Sequence, residues 1–178
     1  MLTTVDKRHS LEVGMVGSEG MTGMPFILGV NHSGVRALVQ GAGRALRIAS
    51  APFRIEYDRS RPLQQALFRY TYALMAQISQ TAACNRFHDA HARLARWLLM
   101  TRERVGADEF AMTHEFLAHM LGVRREGVTE AASALKRRGL INYQRGKIQL
   151  LDVKGLMGSA CSCFPIVQAA YKRAQKAA

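Results

Sequence analysis

Acidic side chains are scarce in this sequence. Thirteen Asp and Glu stand against twenty-five Lys and Arg, a formal net charge of +12 over 178 residues. Such an excess favours a polyanionic partner over acid-rich surfaces or cationic ligands. It is unevenly spread: residues 1–83 carry 9 basic and 5 acidic groups, whereas residues 84–178 carry 16 and 8. Cysteine is also sparse. Three cysteines, an odd number, fit a reducing compartment better than a disulfide framework. No run reaches the ~18 apolar residues of a membrane span, and no signal peptide precedes the first charges. A cytoplasmic location and no membrane partner are expected. There is no P-loop, no G-x-S-x-G, no paired-carboxylate motif and no H-E-x-x-H. The chain is therefore expected to be no enzyme and to need no cofactor. Its 48% hydrophobic content is enough to fold one or two domains.

What is present is concentrated in residues 113–152. Phe116, Leu117, Met120 and Leu121 form one apolar face at helical spacing. Gly122 follows at once, where a helix takes a left-handed cap. The spacing predicts a second helix over residues 125–138, with Val128, Ala131, Ala132 and Leu135 inward. Two short helices across a tight Gly-containing turn make a helix-turn-helix. Residues 140–143 and 147–151 then alternate around Arg145-Gly146, a turn dipeptide, as a β-hairpin does. The whole is the pattern of a winged helix-turn-helix.

The charges sit where a DNA reader places them. Phosphate contacts are expected from Arg124, Lys136, Arg137, Arg138, Arg145 and Lys147, and from Thr113, which also caps the first motif helix. Base reading is expected from the outward face of the second helix, at Arg125, Glu126, Thr129 and Glu130. Arginine can pair two acceptors on guanine, and glutamate accepts from the cytosine amino group.

The segments LAHMLGVRREGVTEAASALKRRGLI and RGKIQLLD resemble the DNA-binding domain of the Crp/Fnr regulators, the family of the cyclic-AMP receptor protein. That resemblance implies that Arg125 and Glu126 match the base-reading Arg-Glu pair. Glu130 stands where the family often has Arg, and Gly127 where it has Thr or Ser. The resemblance further implies an α+β fold: a cyclic-nucleotide-binding-like jelly-roll barrel, a long dimerisation helix, and a C-terminal winged helix-turn-helix. Double-stranded DNA, a second copy of the chain and RNA polymerase are the partners it implies. The family has more barrel strands upstream, so only part of a barrel is expected.

Residues 1–57 are read as that partial β-domain, with strands over residues 11–17, 36–40 and 44–48. EVGMVGSEGMTGMPFILG and VRALVQGAGRALRI look like the segments around the family's effector pocket. Its nucleotide-binding pattern is degenerate here, because Gly23 is followed by Met24 and Arg36 by Ala37. Cyclic-nucleotide binding is not expected, and the effector is left unnamed. Residues 58–88 are read as a long helix and hinge, opened by Pro62. Leu63, Leu67, Tyr70, Leu74, Ile78 and Thr81 form a stripe suited to a dimer seam, with packing on the chain's own barrel as the alternative. Gln77 and Gln80 are placed to tune register. Residues 89–155 are read as the reader domain, with a helix over 90–104 carrying a core Trp97, and residues 156–178 as a basic tail, a frayed helix or disorder.

Cys84, His88 and His91 share one helical face, and Cys161 and Cys163 form a C-x-C. The two groups lie far apart in sequence and lack a C-x-x-C pair, so free thiols rather than a metal site are expected. The four-cysteine iron–sulfur pattern of oxygen-sensing relatives is absent. The sequence reads as a dimeric, sequence-specific transcription regulator. A dimerisation module with little DNA binding of its own, or a small-molecule sensor, are the alternatives.

Overall fold

The structure is a computed structural model that describes residues 1–4 and 10–176. Its N-terminal part is a small open sheet. Strand β1 (Leu2–Thr4) lies between β2 (Ser10–Glu12) and β3 (Val35–Arg36) and pairs antiparallel with both. A single turn of helix, α1 (Met24–Ile27), separates β2 from β3. The expected strands shrink or vanish here. Only residues 10–12 and 35–36 pair, and residues 44–48 run as irregular chain with Leu46 fully exposed. Alternation of side chains is necessary for a strand but not sufficient, because the backbone also needs a neighbour to hydrogen-bond. Helix α2 (Ser50–Arg59), which the sequence reading placed in the β-domain, buries none of its residues.

Helix α3 (Arg61–Phe87) follows after Ser60, whose hydroxyl accepts from the Leu63 N–H at 3.3 Å. Pro62 sits in its first turn, where a missing N–H costs nothing. The predicted stripe is real, but it faces inward. Leu67, Tyr70 and Leu74 are buried against Met24 and Ile27 of α1, with Leu63 and Ile78 at the rim of the same cluster; Thr81 is buried too. Leu67, Tyr70, Leu74 and Thr81 are thus buried within the chain itself and Leu63 and Ile78 partly so, an internal packing of the kind the sequence leaves open as the alternative to a dimer seam. Gln77 is likewise internal: its amide donates to the Met15 carbonyl at 3.0 Å and to the Tyr171 hydroxyl at 2.9 Å. The large apolar side chains that α3 leaves exposed are Phe68, Tyr72 and Met75, at i, i+4 and i+7, and Phe87 at its end.

After a break at His88, the Asp89 carboxylate accepts from the Ala92 N–H at 2.9 Å and starts α4 (Ala90–Val105). This helix is buried along most of its length and is the spine of the main core. Strand β4 (Glu109–Ala111), helices α5 (His114–Leu121) and α6 (Arg125–Arg137), and the hairpin β5 (Ile141–Gln144) and β6 (Lys147–Leu150) wrap it. The sheet order is β4-β6-β5, so a strand that the sequence leaves unassigned extends the hairpin. Leu94, Leu98, Leu117, Val128 and Ile148 all have zero exposure in this cluster. Trp97 lies there as expected, edge-on to Phe116, with its indole N–H donating to the Glu12 carboxylate at 3.0 Å.

Residues 153–176 form two packed helices rather than a frayed tail. Asp152 caps α7 (Val153–Ser159), and α8 (Cys163–Lys176) packs along α3. Phe164, Val167 and Ala170 are buried, at a spacing of three that continues one helical face. Lys172, Arg173 and Lys176 belong to the same helix as that apolar face, which is why the segment reads as a basic tail in sequence. Among the described residues no helix is long and apolar enough to cross a membrane.

Candidate nucleic-acid interface

Local sequence fixes the angle between α5 and α6. Thr113 accepts from the Phe116 N–H at 3.1 Å and starts α5. Gly122 ends it in the left-handed conformation, φ 62° and ψ 40°. A side chain there would be strained by the backbone alone, and its Cβ would come within 2.5 Å of Leu11. The Val123 N–H then returns to the Ala118 carbonyl at 3.1 Å, closing the turn. Helix α6 begins two residues later with Arg124 as its N-cap. Its inner face of Val128, Ala131, Ala132 and Leu135 is buried as the spacing predicts, so the opposite face is held outward.

That outward face carries Arg125, Glu126, Thr129 and Glu130, all exposed. With Ser133 and Arg137 they line one shallow groove. Ser133 was not singled out in the sequence, although it lies one turn beyond Thr129 and Glu130 on the same helix. At the other end of α6, Lys136, Arg137 and Arg138 are exposed. Arg145 and Lys147 are exposed at the tip of the hairpin, where Arg145 and Gly146 both have positive φ, 51° and 76°. Two positive φ values in succession are those of a type I′ turn, whose twist suits a tight hairpin. The two lysines have weak internal partners: Lys136 Nζ donates to the Tyr143 carbonyl at 3.1 Å, and Lys147 Nζ lies 3.5 Å from Glu109. Exposed contacts of this kind contribute little and leave the charges available.

One residue at this surface was missed. His114, in the first turn of α5, stacks on Tyr143 of the hairpin with ring centroids 4.2 Å apart. Its Nδ1 lies 3.0 Å from the Thr129 hydroxyl of α6. That hydroxyl already donates to the Arg125 carbonyl at 3.0 Å, so Nδ1–H is the donor and Nε2 is unprotonated. Nε2 is buried without a partner. Protonating it would place a second N–H where nothing accepts. Burial, with the charge of Arg125 added, accordingly holds His114 below the ordinary imidazole range. The histidine ties both motif helices to the hairpin, and no spacing in the sequence reveals it.

Residues 92–158 match the Crp-like helix-turn-helix domain. The chain is 35% identical over 99 residues to the transcriptional regulator SdrP of Thermus thermophilus, a match that takes in 56% of this chain and 48% of that protein. It thus spans about half the length of that curated relative. Among solved structures it resembles FixK2 of Bradyrhizobium japonicum, with a TM-score of 0.58 at 18% identity, over 65% of this chain and 60% of that one. A CooA mutant of Carboxydothermus hydrogenoformans gives 0.50 at 19%, over 60% and 52%. At such identities the structural likeness speaks to fold. Sequence match, fold and the α5-Gly122-α6 geometry agree that residues 92–158 form a Crp-like helix-turn-helix domain.

Proposed function

We propose that this protein is a DNA-binding transcription regulator that reads duplex sequence with α6 and clamps the backbone with the flanks of that helix and the β5–β6 wing. The observation that carries the reading is the charge layout on α6. Its inner face is wholly apolar and buried, its outer face offers Arg and Glu at the first turns, and its far end carries three consecutive cations. In this reading Arg125, Glu126, Thr129 and Glu130 address base edges. Arg124, Lys136, Arg137, Arg138, Arg145 and Lys147 hold phosphates, and the N-terminal turn of α5 at Thr113 offers backbone N–H groups to another. Thr129 enters that role already bonded to His114, which fixes its rotamer before any base arrives.

The regulator acts as a homodimer in this reading, because a two-fold protein matches two half-sites one helical turn apart. The seam belongs to the exposed face of α3, Phe68, Tyr72 and Met75, not to the stripe that α1 and α8 already cover. RNA polymerase is a further partner of the same reading.

Two substitutions test it on duplexes selected from a random pool. Arg125→Ala should cost ~1–3 kcal/mol of specific binding and relax discrimination at one base pair. Lys147→Ala should weaken specific and random duplex alike and lower the salt slope by ~1. If the Arg125 variant lost equally on both duplexes, Arg125 would be no base reader. If the folded wild-type chain ignored every duplex in dilute buffer, the function itself would be wrong.

A further inference from the structure

The fold brings together two groups of side chains that lie far apart in sequence. Cys84 and His88 end α3, one helical turn apart. Cys161 lies in the turn between α7 and α8, and Cys163 opens α8. The three sulfurs and one His88 ring nitrogen all lie within 4.8 Å of one another. The Cys84 and Cys161 sulfurs are 3.5 Å apart, and the Cys163 sulfur is 3.4 Å from His88 Nδ1. Zn–S bonds of ~2.3 Å and Zn–N bonds of ~2.0–2.1 Å put tetrahedral S···S edges at about 3.8 Å and S···N edges at about 3.6 Å. Those two separations lie within about 0.3 Å of these edges. His91, on the same helical face in sequence, is outside the group.

Two further observations point to an ion rather than to a greasy cluster of thiols. Cys84 and Cys163 have zero exposure and Cys161 is buried, and the Gln80 amide donates to the Cys163 sulfur at 3.1 Å. An N–H aimed at sulfur favours the thiolate, the form that binds metal. Beside the cluster, α4 buries two guanidinium groups, Arg93 and Arg96, close enough to act electrostatically on Cys84 and Cys161. Among the described residues neither forms a salt bridge with a carboxylate, Glu12 acting on Arg96 only from beyond that distance, and each has an Nε with no acceptor. A buried cation without an anion is strongly disfavoured. A tetrahedral site of three thiolates, one neutral imidazole and a divalent ion carries a net charge of −1 and supplies that anion. The donor set, three soft sulfurs and one imidazole, suits a closed structural zinc site.

We propose that Cys84, His88, Cys161 and Cys163 bind one zinc ion per chain, stapling the end of α3 to the α7–α8 turn. All four ligands come from outside the recognition helix and its turn, and one of them, His88, sits at the break between α3 and α4. Zinc therefore sets the orientation of the DNA-reading domain on the long helix. Loss of zinc frees that joint and lowers thermal stability, since a ligand bound only by the folded state stabilises it.

The test uses the full chain, purified reduced and without an affinity tag that binds metal. Elemental analysis should find about one zinc per chain, as one closed site requires. Cobalt exchanged into the chain should show the intense visible bands and near-ultraviolet sulfur-to-cobalt charge transfer of a tetrahedral thiolate site. Cys84→Ser and Cys163→Ser should each lose the metal, and His91→Ala should keep it. His88→Cys preserves four ligands, so it should retain the ion while its cobalt spectrum moves to that of four thiolates; this variant keeps the test decisive if the serine variants misfold. A folded, reduced chain that holds no zinc and takes up no cobalt overturns the proposal, and so does unchanged metal content in the serine variants. Iron–sulfur absorbance in the purified chain overturns the zinc assignment. None of these readings involves DNA, so the site and the DNA-binding function stand or fall separately.

Discussion

The two ends of this chain hold themselves together in different ways. From α4 to β6, local code and tertiary contact agree: caps, a left-handed glycine, helical periodicity and a type I′ turn each specify the same geometry, and the core behind them is apolar and buried. Between Leu28 and Ile48 the chain carries comparable apolar residues but little burial. Val39 is 86% exposed and Leu46 completely so. The contrast teaches that hydrophobic content sets no structure by itself. A helix satisfies its own backbone, whereas strand residues need partners contributed by other segments.

Core substitution should separate the regions most sharply. Leu117→Ala removes a side chain of zero exposure and should cost ~2–5 kcal/mol. Leu46→Ala removes a fully exposed one and should change stability by no more than ~0.5 kcal/mol. Urea denaturation of the two variants reads both numbers. Comparable losses would mean that residues 44–48 are buried in solution and that the difference between the two regions is smaller than the structure indicates.

The same contrast explains what could be read from the sequence. The helix-turn-helix was legible because its signals lie within a few residues of each other: Thr113 before α5, Gly122 after it, Arg145-Gly146 in the hairpin. The long helix was legible in extent but not in orientation. Its stripe of Leu67, Tyr70 and Leu74 has a spacing equally suited to a partner or to the chain's own α8, and only the tertiary fold decides. Helix α8 was hidden because its cations dominate the composition, although Phe164, Val167 and Ala170 carry the periodicity. The cysteines were visible as residues but not as a group, because a separation of 77 positions between Cys84 and Cys161 says nothing about distance in space. His114 had no signal at all, since its partners Thr129 and Tyr143 are chosen by the packing of three elements.

Gly127 tests how far the consistent region is optimised for folding. It sits inside α6, where glycine costs ~1 kcal/mol relative to alanine. A Cβ at this position would meet nothing within 4 Å. Packing therefore does not require glycine there, and Gly127→Ala should stabilise the protein by ~1 kcal/mol. If the missing side chain lets α6 approach the duplex closely, the same substitution should weaken duplex binding. A stability gain with unchanged affinity would show that close approach at Gly127 plays no part.

The smallest effect concerns protons, and it too belongs to the C-terminal region. His114 is held below its ordinary value, chiefly by burial. Between the folded and unfolded values the unfolded chain binds more protons, so stability rises with pH across that window. The contribution is fully present above the ordinary imidazole range near ~6.5 and is lost as pH falls through it. Glu12 acts in the opposite sense at lower pH. Burial raises its value, so its share of stability declines as pH rises through the usual carboxylate range. Melting profiles of the wild-type chain between weakly acidic and neutral pH contain both slopes. His114→Phe keeps an aromatic ring for Tyr143 to stack on and removes only the upper slope. The difference between the two chains should be confined to the imidazole range, and amide exchange should place it at α5, α6 and the hairpin. An unchanged upper slope in the variant would show that His114 titrates freely and that the joint between Thr129 and Tyr143 opens in solution.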